Sequence, residues 1–253
     1  MTVGLLFDTT RCIGCGACAS ACKEQNHLPG PVEAVNTAYT WTTVHERGGA
    51  YVRTLCMHCL VPTCVSVCPV GALRKTPEGP VVYDSAKCIG CRYCIQACPF
   101  DVPKYQWDRP VPVVGKCILC SERVKAGRPT ACAEACPVEA TVFGRREDLL
   151  WEARNRIRKE PAKYVNHVYG LQETGGTSVL MVSGVPFERL GLQTSLPNEP
   201  PAMQTWQVLS KIPDFVGVWA VFLYGIHWIT ARRETVARVE QAGRNARHPG
   251  GRA

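Results

Sequence analysis

The sequence lacks the residue patterns of a catalytic site. It contains no glycine-rich phosphate loop and no paired serine and histidine context that would activate a nucleophile. Its carboxylates are scattered, without a visible partner for acid-base chemistry. These absences indicate that the chain has no substrate site of its own and is not an enzyme by itself.

Two further absences concern targeting and charge. The segment MTVGLLFDTTRC has no basic region and only a five-residue apolar stretch before Cys12, so we expect no cleavable signal peptide. Basic residues exceed acidic ones by 29 to 21, but six arginines follow residue 231, so a substantial part of the net charge of +8 is local. The composition does not indicate a general nucleic-acid-binding face, and we expect no nucleic-acid partner.

Cysteine, by contrast, is abundant, with sixteen residues in a chain of 253. The chain is long enough for one large domain or two smaller ones, and too long for a small disulfide-stapled scaffold. The cysteines form an internal repeat of four blocks: Cys12, Cys15, Cys18 and Cys22; Cys56, Cys59, Cys64 and Cys68; Cys88, Cys91, Cys94 and Cys98; and Cys117, Cys120, Cys132 and Cys136. Tight quartets of this kind predict bound metal rather than disulfide bonds.

The spacing within the blocks indicates iron-sulfur clusters. Thiolates are soft donors, and C-x2-C-x2-C holds three of them on one loop, where they can bind three corners of a cubane cluster. The cysteine of an x3-C-P ending points away on a helical turn and binds the other cluster of a two-cluster ferredoxin unit. Three blocks end in this proline, at Pro69, Pro99 and Pro137, whereas Lys23 follows Cys22 in block one. The local turn after Cys22 is therefore expected to differ.

Structural zinc is the main alternative, because zinc also binds four cysteines. Zinc sites use two separated C-x2-C pairs around one ion, however, and a third cysteine two residues further on has no place in that tetrahedron. Isolated redox cysteines or disulfides explain neither the number of cysteines nor their spacing. The four blocks together, with no cysteine left over, favour clusters over zinc.

Several residues beside the cysteines are candidates for tuning a cluster. His58, within CMHC, is expected to form a hydrogen bond or to pack, because two cysteines already supply the thiols of that loop. Lys87, Arg92 and Lys116 would raise reduction potentials by compensating cluster charge, although solvent would screen this effect at exposed positions.

The segments between and after the blocks predict an α+β fold. The stretch ALRKTPEGPVVYD, between blocks two and three, indicates two short strands around a turn. Residues 145–160 have helix formers and apolar residues at helical spacing, which predicts a surface helix packed on the cysteine domain. Residues 161–205 are richer in glycine and proline, and we expect an extended connection over a partner or back to the membrane, with one strand at 177–182.

Residues 215–231, FVGVWAVFLYGIHWITA, predict a single transmembrane helix. A helix of this length covers about 25 Å, close to the roughly 30 Å of the hydrocarbon core, and it carries no formal charge when His227 is neutral. Trp206 and Trp228 are placed to lie at the membrane interfaces. A buried helix or an amphipathic surface helix is the alternative, but apolar residues occur on every side of this helix.

Flanking charge predicts the orientation of this span. The twenty residues before Phe215 contain Lys211 as their one basic residue, whereas the twenty after Thr230 contain Arg232, Arg233, Arg238, Arg244 and Arg247. By the positive-inside rule, the carboxyl tail is cytoplasmic and the cysteine domain is periplasmic, in a single-pass protein of the cytoplasmic membrane. His227, near the inner face, is a candidate contact for a haem or quinone pocket in a partner, although packing among aromatic residues is favoured.

Taken together, the motifs resemble a known family over nearly the whole chain. The stretches that carry the resemblance are CMHCLVPTCVSVCPVGAL, CIGCRYCIQACPFDVPKY and YGLQETGGTSVLMVSGVPFERL, followed by one terminal span. They are similar to the iron-sulfur β subunit of formate dehydrogenase N and the equivalent subunit of periplasmic nickel-iron hydrogenases, within the molybdopterin oxidoreductase iron-sulfur subunit family.

The resemblance implies two nested bacterial ferredoxin-like units that bind four 4Fe-4S clusters. The implied ligands are Cys12, Cys15, Cys18 and Cys136 for cluster 1; Cys22, Cys117, Cys120 and Cys132 for cluster 2; Cys56, Cys59, Cys64 and Cys98 for cluster 3; and Cys68, Cys88, Cys91 and Cys94 for cluster 4. The implied domains are the double unit at 1–145 with the second unit inserted at about 50–105, a helix and connecting segment at 146–210, the membrane helix at 211–231 and a basic cytoplasmic tail at 232–253.

The resemblance also implies the partners and the function. Cluster 1 would face a large catalytic subunit that holds a molybdenum or tungsten pterin, or nickel and iron, and cluster 4 would face an integral membrane quinone or cytochrome b subunit. The chain would pass electrons between them, and could cross the membrane folded with a partner that carries a twin-arginine signal. The x11 gap between Cys120 and Cys132 resembles formate dehydrogenase, whereas the motifs of blocks two and three resemble the hydrogenase partner at least as well.

Two other functions remain as alternatives. One is the iron-sulfur subunit of another molybdopterin reductase, acting on polysulfide, thiosulfate or dimethyl sulfoxide. The other is a quinone-reactive reductase in its own right, which would need a substrate pocket that the sequence does not reveal.

Overall fold

The structure, a computed structural model, describes residues 2–111 and 113–247. The chain divides into two compact units, Met1–Met203 and Gln204–Ala253. The strands of the described chain are β1 Val3–Asp8, β2 Thr43–Arg47, β3 Ala50–Thr54, β4 Leu73–Lys75, β5 Val81–Tyr83, β6 Lys104–Tyr105, β7 Val114–Gly115, β8 Thr141–Arg145 and β9 Val179–Val182. Its α-helices are α1 Ala17–Gln25, α2 Thr63–Ser66, α3 Tyr93–Gln96, α4 Ser121–Lys125, α5 Ala131–Glu134, α6 Arg146–Lys159, α7 Pro201–Leu209 and α8 Ile212–Arg247.

A three-stranded sheet forms the base of the first unit, in the order β8, β1, β9. Strand β1 runs antiparallel to β8 and parallel to β9, so that Leu5 pairs with Phe143 on one side and with Val179 on the other. Because side chains alternate along a strand, β1 serves two cores. Leu5 and Phe7 pack in a core that includes cysteines, whereas Leu6 packs against helix α6.

Helix α6 confirms the helix predicted at residues 145–160. Leu149 and Ala153 are buried against Leu6 and Leu180 of the sheet, while Trp151 on the opposite side is exposed. The helix therefore covers one face of the sheet and leaves the other face to the cysteine loops.

The expectation of an extended connection at residues 161–205 is corrected by the structure. The apolar run Val179–Val182 is fully buried, and it pairs with β1 within the central sheet. Tyr169 forms an isolated bridge to Met181 on the outer edge of that strand, and Phe187 and Leu190 are buried in the same core. All four residues of this strand are apolar, which is typical of a strand buried on both faces and not of an exposed connection.

The hairpin predicted between blocks two and three is confirmed. Strands β4 and β5 pair antiparallel, with Leu73 opposite Tyr83. The turn is closed by a hydrogen bond from the Gly79 N–H to the Thr76 carbonyl, 3.1 Å long.

A second hairpin, β2–β3, was not predicted. Its turn consists of Gly48 and Gly49, which both have positive φ. A Gly-Gly pair between strand-forming residues is a hairpin signal, so the sequence did contain the information.

The second unit is helical through residue 247. Helix α8 contains the whole predicted span Phe215–Ala231 but continues for sixteen further residues, so the described part of the basic tail is helical as well. Within the described chain, one helical stretch, Pro201–Asn245, is long and apolar enough to cross a membrane, with a mean hydropathy of 1.4 in its most apolar window and no burial there. Residues 248–253 of the predicted tail lie outside the described residues.

Candidate metal centres

The four C-x2-C loops share one backbone feature. The residue two positions after the first cysteine has positive φ in every block: 71° at Gly14, 49° at His58, 73° at Gly90 and 52° at Leu119. This conformation turns the backbone towards the preceding thiol, since the Gly90 and Leu119 N–H groups each donate to that cysteine's Sγ over 3.4 Å. Non-glycine residues adopt it at a cost of about 1 kcal/mol. His58 and Leu119 do so while fully buried, where packing fixes the loop.

The last cysteine of each block follows a helix or lies within one. In blocks two, three and four a four-residue helix, α2, α3 or α5, ends just before Cys68, Cys98 or Cys136, and proline follows the cysteine. Proline disfavours helical conformation in the residue before it, so the chain turns there. In block one Lys23 stands in place of proline, and α1 continues to Gln25. The predicted local difference after Cys22 is thus observed as a longer helix.

Cysteines from different blocks converge in the folded chain. Cys12, Cys15 and Cys18 of block one line a single cavity together with Cys136 of block four. Burial raises the pKa of Cys12, and nearby Cys18 and Cys136 add to the rise. This group joins the two ends of the cysteine-rich sequence.

A second group lies next to the first. Burial raises the pKa of Cys22 to about 12, with further contributions from Cys132 and Cys120. Burial also raises the pKa of Cys117, and the nearby thiol of Cys22 raises it further. Cys22 of block one thus lies among the first three cysteines of block four.

In blocks two and three, the last cysteine of each block lies near the first three cysteines of the other. Burial raises the pKa of Cys64 to about 12. Neighbouring thiols add to this rise, namely those of Cys56, Cys98 and Cys59. Burial raises the pKa of Cys94 to about 11. The thiols that add to it are those of Cys88, Cys91 and Cys68.

The thiol arrangement fits a cluster better than a single ion. All sixteen cysteines are free of disulfide bonds. Among the described residues, no three His, Cys, Asp or Glu side chains are close enough to bind one metal ion. Each thiolate of a cubane cluster binds a different iron, so the sulfurs must stand apart around the cluster body. Four soft donors match an iron-sulfur cluster in their chemistry.

The groups differ in exposure. Cys22, Cys117, Cys120 and Cys132 are all buried, whereas Cys15 is exposed. The second residue of the CIGC motif is also exposed in both blocks that contain it, 56% at Ile13 and 65% at Ile89. The group of Cys12 and the group of Cys88 therefore approach the surface.

A buried arginine that the sequence did not reveal lies beside the thiols. Arg53 on β3 is 1% exposed and donates to Thr42 Oγ1 over 2.8 Å and to Thr141 Oγ1 over 3.1 Å. Although burial lowers the pKa of Arg53, adjacent Cys132 and Cys18 raise it above its usual value. Conversely, burial raises the pKa of Cys132, but Arg53 brings it below the ordinary value. This guanidinium thus favours a negatively charged sulfur site between two of the groups.

The three basic residues predicted beside the cysteines have different surroundings. Lys87 is exposed and lies 3.8 Å from Asp84. Arg92 stacks 5.2 Å from the ring centroid of Trp107. Lys116, in contrast, is 2% exposed, and its Nζ lies 4.0 Å from Cys56 Sγ. Solvent screening therefore applies to Lys87 but not to Lys116.

The surroundings of His58 show whether its loop suits a bound cluster. The side chain is fully buried, and its Nδ1 accepts a hydrogen bond from the Val81 N–H over 2.9 Å. Its Nε2 has no hydrogen-bond partner among the described residues. A buried donor left unpaired costs about 1–3 kcal/mol, so an acceptor is expected there. A cluster held beside Cys56 and Cys59 would offer a sulfur atom as that acceptor.

Comparison with protein families agrees with this chemistry. Residues 11–72 and residues 49–146 each match a family model described as a 4Fe-4S dicluster domain. The chain belongs to the 4Fe-4S dicluster family.

Relatives of this chain include an iron-sulfur subunit of a formate dehydrogenase and a hydrogenase operon protein. The chain is 39% identical to the hydrogenase-2 operon protein HybA of Escherichia coli O157:H7, over 76% of this chain and 73% of that protein. It is 36% identical to the iron-sulfur subunit of the nitrate-inducible formate dehydrogenase of Escherichia coli K12, over 71% of this chain and 67% of the relative. A protein of Nitratidesulfovibrio vulgaris is 42% identical over 94% of this chain and 70% of its own length.

These matches confirm the predicted family and the class of cofactor. The chain is an iron-sulfur electron-transfer subunit, and not a catalytic one. Its iron-sulfur clusters are of the 4Fe-4S type. The zinc interpretation is thereby set aside.

Proposed function

We propose that the chain carries electrons through four 4Fe-4S clusters, between a catalytic subunit and a partner in the membrane. The observation that carries this proposal is the convergence of cysteines from different blocks, as in the cavity lined by Cys12, Cys15, Cys18 and Cys136. When bound, each cluster accepts and releases one electron at a time. The protein supplies the thiolates, the spacing and the surrounding charge.

In the proposed ligand sets, each block contributes its first three cysteines to one cluster and its last cysteine to another. They are Cys12, Cys15, Cys18 and Cys136 for cluster 1; Cys22, Cys117, Cys120 and Cys132 for cluster 2; Cys56, Cys59, Cys64 and Cys98 for cluster 3; and Cys68, Cys88, Cys91 and Cys94 for cluster 4. The proximity of the thiols within each set supports these assignments. Two family matches, each to a dicluster domain, support a total of four clusters.

Proximity between cysteines of different ligand sets supports a linear order of the four clusters. Cys18 lies near Cys132, which brings cluster 1 beside cluster 2, and Cys117 lies near Cys56, which brings cluster 2 beside cluster 3. The exposure of Ile13 and Ile89 supports placing clusters 1 and 4 at the two ends. Electrons then enter and leave at the surface and cross a buried interior.

The two ferredoxin-like units are proposed to be nested, with residues at about 50–105 inserted in the first unit. The β4–β5 hairpin between blocks two and three supports a unit of its own there. Strands β1 and β8, which flank the whole cysteine-rich sequence, pair with each other and so close the outer unit. The proposed extent of the double unit is 1–145.

The proposed partners come from the relatives. One relative is named as a formate dehydrogenase subunit and another as a hydrogenase-2 operon protein, which supports a catalytic partner that oxidises formate or hydrogen. The second partner is an integral membrane subunit that binds quinone or haem. The exposed His227 on helix α8 is the candidate contact to it.

Helix α8 is proposed as a single membrane span, with the cysteine domain periplasmic and the arginine-rich end cytoplasmic. The test is thiol labelling of single engineered cysteines from outside intact cells, one at Ser195 before α7 and one at Arg244 in α8. We expect labelling at position 195 alone. Labelling at position 244 alone would reverse the proposed orientation.

Metal analysis of the purified complex tests the central proposal. Four clusters require at least about sixteen iron atoms per chain, to which iron-containing partners add their own, together with a visible charge-transfer band. Molybdenum or tungsten in the complex would identify a partner of the formate dehydrogenase type, and nickel a hydrogenase. About eight iron atoms in a fully loaded, intact complex would contradict the four-cluster proposal.

A further inference from the structure

Lys116 lies inside the protein without a carboxylate partner. Its side chain is 2% exposed, and its Nζ donates to the carbonyl oxygens of Val81 over 2.5 Å and of Cys117 over 2.8 Å. Among the described residues it forms no ion pair with Asp or Glu, unlike Lys87 and Lys104. A buried charge is costly unless an opposite charge compensates it.

The negative charge nearest to Lys116 comes from cysteines of two different sets. Its Nζ lies 4.0 Å from Cys56 Sγ, and the residue is followed directly by Cys117. Cys56 and Cys117 are both buried and pack in the same cluster of side chains. Lys116 therefore occupies the place where the sets of clusters 2 and 3 meet.

The backbone holds the ammonium group in this position. The Val81 carbonyl belongs to strand β5 of the inserted hairpin, and the Cys117 carbonyl belongs to block four of the outer unit. Lys116 thus connects the two ferredoxin-like units by hydrogen bonds as well as by charge. Its position does not depend on solvent or on a flexible surface side chain.

We propose that Lys116 is the electrostatic link between clusters 2 and 3: it stabilises the reduced form of both, so that each accepts an electron more readily where the two ferredoxin-like units meet. A cluster becomes more negative by one charge when it is reduced. A fixed cation beside it stabilises that state, and in a buried site the effect is large because water does not screen it. This role rests on the proposed ligand sets for clusters 2 and 3.

Lys87 offers a matched control. Like Lys116, it immediately precedes the first cysteine of a block. Its side chain is 60% exposed, however, and Asp84 lies 3.8 Å from its Nζ. The same substitution at the two positions therefore compares a buried cation with a screened one.

The experiment is a redox titration followed by electron paramagnetic resonance on the intact complex. Lys116→Gln should make reduction of clusters 2 and 3 at least tenfold less favourable, which is about 59 mV for a one-electron couple. Lys116→Arg should keep both potentials near the wild-type values, and Lys87→Gln should shift its neighbouring cluster by less. Unchanged potentials in a Lys116→Gln complex with full iron content would overturn the proposal. Iron content and the number of cluster signals test the proposed four clusters separately.

A measurement on the unaltered lysine covers the case in which Lys116→Gln does not assemble its clusters. With lysine side chains labelled with 15N, the reduced cluster bound by Cys56 should show a nitrogen hyperfine coupling. The coupling should persist in Lys75→Arg, which removes the partly buried lysine nitrogen that also contacts this loop. Absence of any lysine coupling would overturn the proposal.

Discussion

The Val81 N–H donates a hydrogen bond to His58 Nδ1 over 2.9 Å, and this bond determines which nitrogen of the ring carries the proton. Burial lowers the pKa of His58 far below its usual value, and nearby Lys116 and Lys75 lower it further, so the ring is neutral. A neutral ring that accepts at Nδ1 must carry its proton at Nε2. His58 therefore presents a single N–H donor inside the loop between Cys56 and Cys59.

Replacing His58 by asparagine should lower the potential of the cluster bound by this loop. Asparagine tolerates the positive φ and can still accept from Val81, but its amide does not reach the position of Nε2. The loss of one hydrogen bond to a cluster sulfur destabilises the reduced state, by a factor of about tenfold for a bond of about 1.4 kcal/mol. Redox titration followed by electron paramagnetic resonance measures the shift.

His27→Asn is the control for the first prediction, because His27 also has positive φ but is exposed outside the cysteine loops. It should leave all potentials unchanged. An equal shift in the two variants would argue against a hydrogen bond from His58.

Cys22→Ser should damage the cluster held by Cys117, Cys120 and Cys132 before any other. The reason is that Cys22, on helix α1, lies among these thiols. Iron content and cluster spectra of the variant, beside those of Cys18→Ser, check this outcome. Selective loss of the Cys12 cluster in Cys22→Ser would show that the proposed exchange of cysteines is wrong.

Charged substitutions at the two exposed CIGC isoleucines should each weaken binding of a different partner. Ile13→Arg places a charge beside cluster 1 and should reduce copurification of the catalytic subunit. Ile89→Arg places it beside cluster 4 and should reduce copurification of the membrane subunit. Trp151→Arg, on the exposed side of helix α6, is the control and should affect neither. Loss of the same partner from both isoleucine variants would contradict the proposed order.

Asp8→Asn should destabilise the first unit by about 1.5–3 kcal/mol, because it removes one of the two carboxylates that pair with Arg156 and leaves only Glu152. Asp8 is fully buried and accepts from Arg156 Nη1 and from the Tyr164 hydroxyl, each over 2.9 Å. Chemical denaturation of the cluster-loaded protein measures the change. Glu160→Gln, which breaks the exposed pair with Lys163, should change the midpoint little.

Local patterns were sufficient for much of the fold and for the class of site. The β4–β5 hairpin and helix α6 were predicted because turn formers and helical spacing act over a few residues. The run Val179–Val182 was predicted as a strand but not as part of the central sheet, since its partner β1 lies more than 170 residues away in sequence. Pairing over such a distance leaves no signal in the local pattern of either strand.

The sequence by itself determined the donors: sixteen thiols, their spacing, and the proline that ends the helical turn after three of the blocks. These are properties of neighbouring residues, and the chemistry of soft ligands follows from them directly. Only the tertiary structure decided that Lys116 and Arg53 are buried beside the thiols, and that His58 keeps one unpaired N–H. A charge acts strongly only where folding excludes water, and exclusion of water is a property of the packed chain rather than of any short stretch of it.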